Sequence, residues 1–273
     1  MDKFAMLPSG QPGVSLLPPA GEGPWLVARC SRLAAGHRIK THRHARGQLM
    51  WVAAGSLFVR TERCAWLLPP SRALWVPAGA DHAIVAHGEV QLRTLYLRAD
   101  GAQALPDACA VLEVTALLQA LILRLTASEP QAPPLRMDLA LPLLIAEIAQ
   151  LPACPLALPL PADPAMRAYC DRILADDAPG DRAPPVGVHA KALYRRFLAE
   201  TGLSHTQWRR QALLLQAVRR LSAGEPVTQV ALDLGYESPA AFSTMFKRQL
   251  GCTPRSFLPD ALGGRVSIRK SRA

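Results

Sequence analysis

Two groups of side chains stand out, one between residues 36 and 82 and one near the C-terminus. Gly36-His-Arg-Ile-Lys-Thr-His42-Arg-His44-Ala-Arg-Gly-Gln48, followed by Gly55, reads G-x5-H-x-H-x3-Q-x6-G. Further on, Pro77-Ala-Gly-Ala-Asp-His82 reads P-x-G-x-x-H. Histidines at alternate strand positions point to one side of the strand, so His42 and His44 suit chelation by neutral imidazoles. His82 on a neighbouring strand would complete a facial site. Near the C-terminus, Ser238 and Pro239 open a segment that carries Ala240, Ser243, Thr244, Lys247 and Arg248 on one face. Small, hydroxyl and cationic side chains of that kind can enter a major groove or hold phosphates. Phe242 and Phe246, four apart, fall on the opposite face with Met245 and Leu250.

These groups need rigid elements beneath them. Between residues 24 and 100, Gly and Pro recur about every ten positions around short apolar runs such as 48–53, 56–60, 73–76 and 90–97, which predicts an all-β sandwich or barrel. From Leu112 the period becomes helical, with apolar rows over Leu117, Leu118, Leu121 and Leu125. A second helix is expected from Asp138 to Leu151, with Pro142 in its first turn, where a missing N–H is tolerated. Residues 152–161 hold four prolines and read as a stiff extended linker, neither helix nor central strand. Helices are then expected over Pro164–Asp176, His189–Thr201, Ser204–Ala223, Thr228–Leu234 and Ser238–Leu250, closed by Gly202, Gly224, Gly235 and Gly251.

Composition limits the function classes. The 273 residues are 50% apolar and 19% charged, which is globular. The run 112–125 is broken by Glu113, Gln119 and Arg124, so no membrane span is expected. The opening MDKFAMLPSGQPG lacks the apolar core of an export signal, which points to the cytoplasm. Six scattered cysteines without a CxxC pair read as reduced thiols. Net charge is +10, and residues 163–273 carry 17 basic against 10 acidic side chains, with the excess after position 188. A polyanion partner follows, with nucleic acid first.

GEPVTQVALDLGYESPAAFSTMFKRQLGCTP, with ALYRRFLAETGLSHTQWRRQALLLQAVRRL before it, resembles the AraC family of bacterial transcription regulators. The resemblance implies two helix-turn-helix units joined by the long helix 204–223. At ~1.5 Å per residue, twenty residues span about 30 Å, close to the ~34 Å turn of B-DNA. In the first unit the recognition helix would present Lys191, Tyr194, Arg195 and Arg196, with Leu193 and Phe197 inward. The helix before it is shortened: only Arg182-Ala-Pro-Pro-Val-Gly-Val188 separates Asp181 from His189, about five residues too few. DNA contact is therefore expected to lean on the second unit, and Arg195 and Arg196 serve equally well as a solvated basic face.

The histidine motifs resemble the cupin barrel, which implies a divalent-metal set of His42, His44, Gln48 and His82. Gln48 stands where that family has Glu, and Ala86 where Asn is usual. Three readings of the site stay open: a metal centre, a metal-free effector pocket lined also by Trp51, Trp75 or Tyr96, or structural histidines. The expected fold class is α+β multidomain: an all-β cupin barrel, a short helical dimerisation segment and an all-α tandem helix-turn-helix domain with its first unit shortened. Its parts are an N-terminal arm 1–23, a sensor domain 24–110, a helical segment 111–151, a linker 152–162, a DNA-binding domain 163–258 and a basic tail 259–273.

The function expected is a sequence-specific DNA-binding regulator, not an enzyme, with no required cofactor. Its expected partners are double-stranded DNA, a small-molecule effector, a second copy of itself and RNA polymerase. The helical pair packing on its own barrel instead is an equal alternative to dimerisation. A metal-dependent cupin enzyme, a dioxygenase or isomerase with an accessory helical domain, is the contrary reading. RNA binding is disfavoured, because the basic helices expose few aromatics for base stacking.

Overall fold

The computed structural model describes residues 4–7, 21–127, 136–154, 157–175 and 190–258. Its N-terminal part is a nine-stranded curled sheet. The strands are β1 (Phe4–Leu7), β2 (Leu26–Leu33), β3 (Arg38–His42), β4 (Gly47–Arg60), β5 (Cys64–Leu68), β6 (Arg72–Val76), β7 (His82–Leu97), β8 (Ala110–Glu113) and β9 (Ala157–Pro159). The long strands β4 and β7 form its spine and pair antiparallel with shifts of register around Ala54. There the spine bends. Gly55 has φ +77°, and a Cβ on it would lie 2.3 Å from the Glu89 carbonyl oxygen, so only glycine fits.

The bend makes two leaves. In one, β6 and the second half of β7 flank the start of β4, and β2 and β8 extend it. In the other, β5 and the first half of β7 flank the end of β4, and β3 and β9 lie outside. Period-two alternation then sorts the side chains. Met50, Val52, Leu57, Val59, Ile84, Ala86 and Leu92 are buried in one core cluster. Leu49, Trp51, Trp75, Leu95 and Leu97 face the other way, into a second cluster with the helices α1 (Ala116–Leu125) and α2 (Met137–Gln150).

The α1–α2 layer corrects one boundary. The apolar run that starts at Leu112 opens as β8, and the helix begins only after Thr115, whose side chain accepts from the Leu118 N–H. Short apolar runs carry no period of their own, and pairing with β6 decides this one. The helical pair does pack on its own sheet, through Leu118, Leu121, Ile122, Leu144 and Ile148. Leu117, Leu139 and Leu143 stay exposed, Leu139 at 62%.

The proline-rich segment is also more ordered than a spacer. Ala153 bridges to Leu112, and β9 pairs with β5 at the sheet edge, where proline's missing donor costs nothing. Five helices follow: α3 (Pro164–Ala175), α4 (Ala190–Thr201), α5 (His205–Ser222), α6 (Val227–Asp233) and α7 (Pro239–Leu250). They agree with the expected spans to within two residues. At the start of α5, Ser204 and Gln207 form a reciprocal capping box. The break at 178–187, the shortened helix before α4 and the basic tail lie outside the described residues.

The helical domain is docked on the second leaf. Phe58, Leu67 and His87 line a small cavity with Leu174, Leu215, Gln216 and Arg219. The Trp208 indole donates to the Pro159 carbonyl at 2.6 Å, and Arg60 pairs with Asp171 at 2.8 Å. Arg72 of β6 reaches the thiol of Cys252 at 3.9 Å and stands 6.0 Å from the centre of the Phe257 ring.

Candidate functional site

Two places concentrate functional chemistry, and the sheet positions the first. His42 ends β3 and is paired in register with His82 at the start of β7. His44 follows in the turn to β4. The ring centroids are 4.3 Å apart for His42 and His82, 4.9 Å for His42 and His44, and 5.6 Å for His44 and His82. One ligand nitrogen from each lies within 4.8 Å of the other two. His42 and His82 each hold Nδ1 against a backbone carbonyl, that of Lys40 at 2.8 Å and that of Ala80 at 3.0 Å. With Nδ1–H donated there, each Nε2 keeps its lone pair, which is how metal-binding imidazoles are usually oriented.

His82 is 1% exposed and its Nε2 has no hydrogen-bond partner; both ring nitrogens of His44 are likewise buried and unpartnered. Burial, then the positive charges of His42, His82 and Arg29, pushes the His44 imidazole down to about 4. Burial also holds His82 below the ordinary histidine value, against the opposing pull of the Ala80 carbonyl, and His42 adds to the lowering while Asp81 opposes it. Three imidazoles that bring one ligand nitrogen each this close together suit a divalent metal ion.

Gln48 lies on the same interior wall. Its Nε2 donates to the Tyr96 hydroxyl at 3.4 Å, while Oε1 is buried without a partner. Tyr96, paired with Gln48 in register, stands 5.1 Å from the His44 ring, and burial pushes its phenol up. Of the three aromatic candidates, Tyr96 stands beside the histidines and the two tryptophans do not. Trp51 and Trp75 point into the α1–α2 layer, where their indoles donate to Pro70 and Pro106 carbonyls, both at 2.7 Å. Arg29 went unnoticed in the sequence. Its β2 position faces the interior with Val27, opposite Thr94, and its charge acts on both His44 and Tyr96. A cation among the apolar residues of β2 was the available signal.

The second place is α7. Ser238 caps it by accepting from the Ala241 N–H, Pro239 sits in its first turn, and Gly251 ends it at φ +73°. Phe242 and Phe246 are fully buried, with ring centroids 5.5 Å apart, and Phe257 stands 5.4 Å from Phe246. Ala240, Thr244, Lys247 and Arg248 are exposed, and Ser243 is half-buried. Among the described residues no ion pair engages Lys247 or Arg248.

The first unit's helix α4 is used differently. Arg196 pairs with Asp163 at 3.1 Å and Glu200 at 2.8 Å, while Glu200 accepts from the Ala162 and Asp163 N–H groups. Arg195 is exposed, and Tyr194 leans on the His205 ring at 5.3 Å. The side chain of Lys191 lies outside the described residues.

A curled sheet with an interior polar cluster, joined to helix-turn-helix elements with an outward cationic edge, is the architecture of a ligand-responsive regulator. The profile described as AraC-like ligand binding domain matches residues 27–144, and that described as helix-turn-helix domain matches residues 183–259. The chain is 33% identical over 223 residues to the HTH-type transcriptional regulator NimR of Escherichia coli, covering 80% of this chain and 81% of that protein. It is 30% identical over 111 residues to the HTH-type transcriptional regulator RipA of Corynebacterium glutamicum, 38% of this chain and 33% of the other. With the regulatory protein SoxS of Escherichia coli it shares 41% identity over 49 residues, 18% of this chain and 46% of that one. The chain belongs to the AraC family of transcription regulators, with a cupin-like ligand-binding domain ahead of its helix-turn-helix domain. No helix of the described residues is long and apolar enough to cross a membrane.

Proposed function

We propose that this chain reads a specific operator chiefly through α7, with Ser238, Pro239, Ala240, Ser243 and Thr244 at the groove and Lys247 and Arg248 on phosphates. The observation that carries this is the exposed small and cationic edge of α7, backed by buried Phe242 and Phe246. In the first unit, Lys191, Tyr194 and Arg195 supply weaker contacts, and Arg196 is held by its carboxylates. Selection of bound fragments from the host genome tests the reading. A single enriched motif is expected, and binding no tighter than to bulk duplex overturns it.

The barrel pocket senses a small ligand and holds a divalent metal on His42, His44 and His82, with Gln48 beside them. When bound, the metal would supply Lewis-acid sites for ligand oxygens or nitrogens. The chain's own residues orient two imidazoles through the Lys40 and Ala80 carbonyls and keep the third neutral by burial. His42→Ala should remove the metal measured by elemental analysis and blunt the response to ligand. Regulation rather than turnover is supported by the relatives, which are transcription regulators; metal-dependent oxygen uptake by the purified protein would favour the enzyme instead.

The exposed Leu117, Leu139 and Leu143 of α1 and α2 suit a second copy of the chain. Sedimentation should show a dimer that Leu139→Glu dissociates. The protein would work in the cytoplasm, where its DNA lies, with RNA polymerase as the downstream partner.

A further inference from the structure

Replacement of a carboxylate by an amide decides what the pocket can hold. In the described residues no aspartate or glutamate joins the three imidazoles. Asp81, whose charge reaches His82, is exposed on the rim. Gln48, 3% exposed, occupies the interior wall with a neutral amide whose oxygen is unpartnered. Tyr96 presents only a hydroxyl there, and it accepts from the Gln48 amide. Arg29 adds a positive field to the same wall.

A divalent ion on His42, His44 and His82 would therefore keep its full double charge at a half-buried place. Partly desolvated charge without a partner is unfavourable, and a negative charge brought in from outside offsets it.

We propose that the pocket's ligand is a small anion with two adjacent oxygen donors, of the 2-hydroxy- or 2-oxo-carboxylate kind, which binds together with the metal and supplies the charge that Gln48 lacks. This rests on the metal reading of the same site. Two oxygens of such an anion can complete the metal's shell beyond three imidazoles, and further oxygens can accept from Tyr96 or the amide of Gln48. Metal and anion then raise each other's affinity, by the reciprocity of linked binding. A sensor of this kind responds to the pair and to neither alone.

The test uses the full-length protein, titrated with cobalt(II) and followed by its visible absorption, in equal concentrations of glycolate or of the neutral glycolamide. Half-saturation in glycolate is expected at about tenfold lower cobalt than in glycolamide. Gln48→Glu, which restores a resident carboxylate, should bind cobalt in glycolamide about as well as the parent does in glycolate and lose most of the glycolate dependence. Equal saturation of the parent protein in the two buffers overturns the anion proposal and leaves the metal reading standing. Failure to take up cobalt in either buffer overturns both. The parent titration needs no variant, so a misfolded Gln48→Glu does not blunt it.

Discussion

Helices α4 and α7 hold corresponding places in the two helix-turn-helix units, yet their outward cations have different employment. On α7, Lys247 and Arg248 face solvent and the helix is braced by phenylalanines. On α4, Arg196 is pinned between Asp163 and Glu200, and Glu200 also accepts two backbone N–H groups at the start of α3. A basic residue on a recognition helix is thus not automatically a phosphate ligand. What its neighbours offer decides whether its charge is already neutralised.

The contrast can be broken in four ways. Phe246→Ala removes the brace of α7 and should destabilise the helical domain by about 3–5 kcal/mol, read as a lowered midpoint of denaturant unfolding. Replacing Lys247 and Arg248 together with Ala should leave folding intact, weaken binding to every duplex and lower the salt slope by about 2. An unchanged slope would place that edge away from DNA. Ser238→Ala deletes a cap and should cost about 1 kcal/mol, read in the same unfolding experiment. Arg196→Ala should leave the unfolding midpoint and the salt slope nearly unchanged, since exposed ion pairs contribute little.

The same pair gives a pH signature. Hydrogen bonds from the Asp163 N–H and from Arg196 hold the Glu200 carboxyl below its ordinary value, against a smaller opposing effect of burial. A lowered folded-state value means its stabilisation is present above the ordinary carboxylate range and is lost as pH falls through the lowered value. Glu200→Gln should therefore flatten the acid limb of the thermal stability profile, and an unaltered limb would deny the clamp.

Much of this was legible from residue types. Caps, closing glycines and paired phenylalanines mark the helices because each satisfies a local backbone demand; the histidine motifs mark His42, His44 and His82, but His44 reaches the others from the loop after β3 rather than from an alternate strand position. What escaped was non-local. Leu112 is strand because β6 lies beside it, and Ala157–Pro159 is strand because β5 offers an open edge. Trp51 and Trp75 could have been excluded from the pocket by parity alone. Trp51 stands three residues from Gln48, hence on the opposite face of β4, and Trp75 is paired with Leu49 rather than Gln48. Arg29, Arg72 and Trp208 owe their roles to neighbours far along the chain, which no local period encodes.

The stitching of Ala157–Pro159 to the sheet, with Trp208 fastened to the last of its carbonyls, bears on how a signal could cross the molecule. A slack tether would let the two halves tumble independently, so that occupancy of one would go unheard by the other. Here the tether is part of the furniture. Any displacement of Pro159 would act directly on Trp208 of α5 through that hydrogen bond.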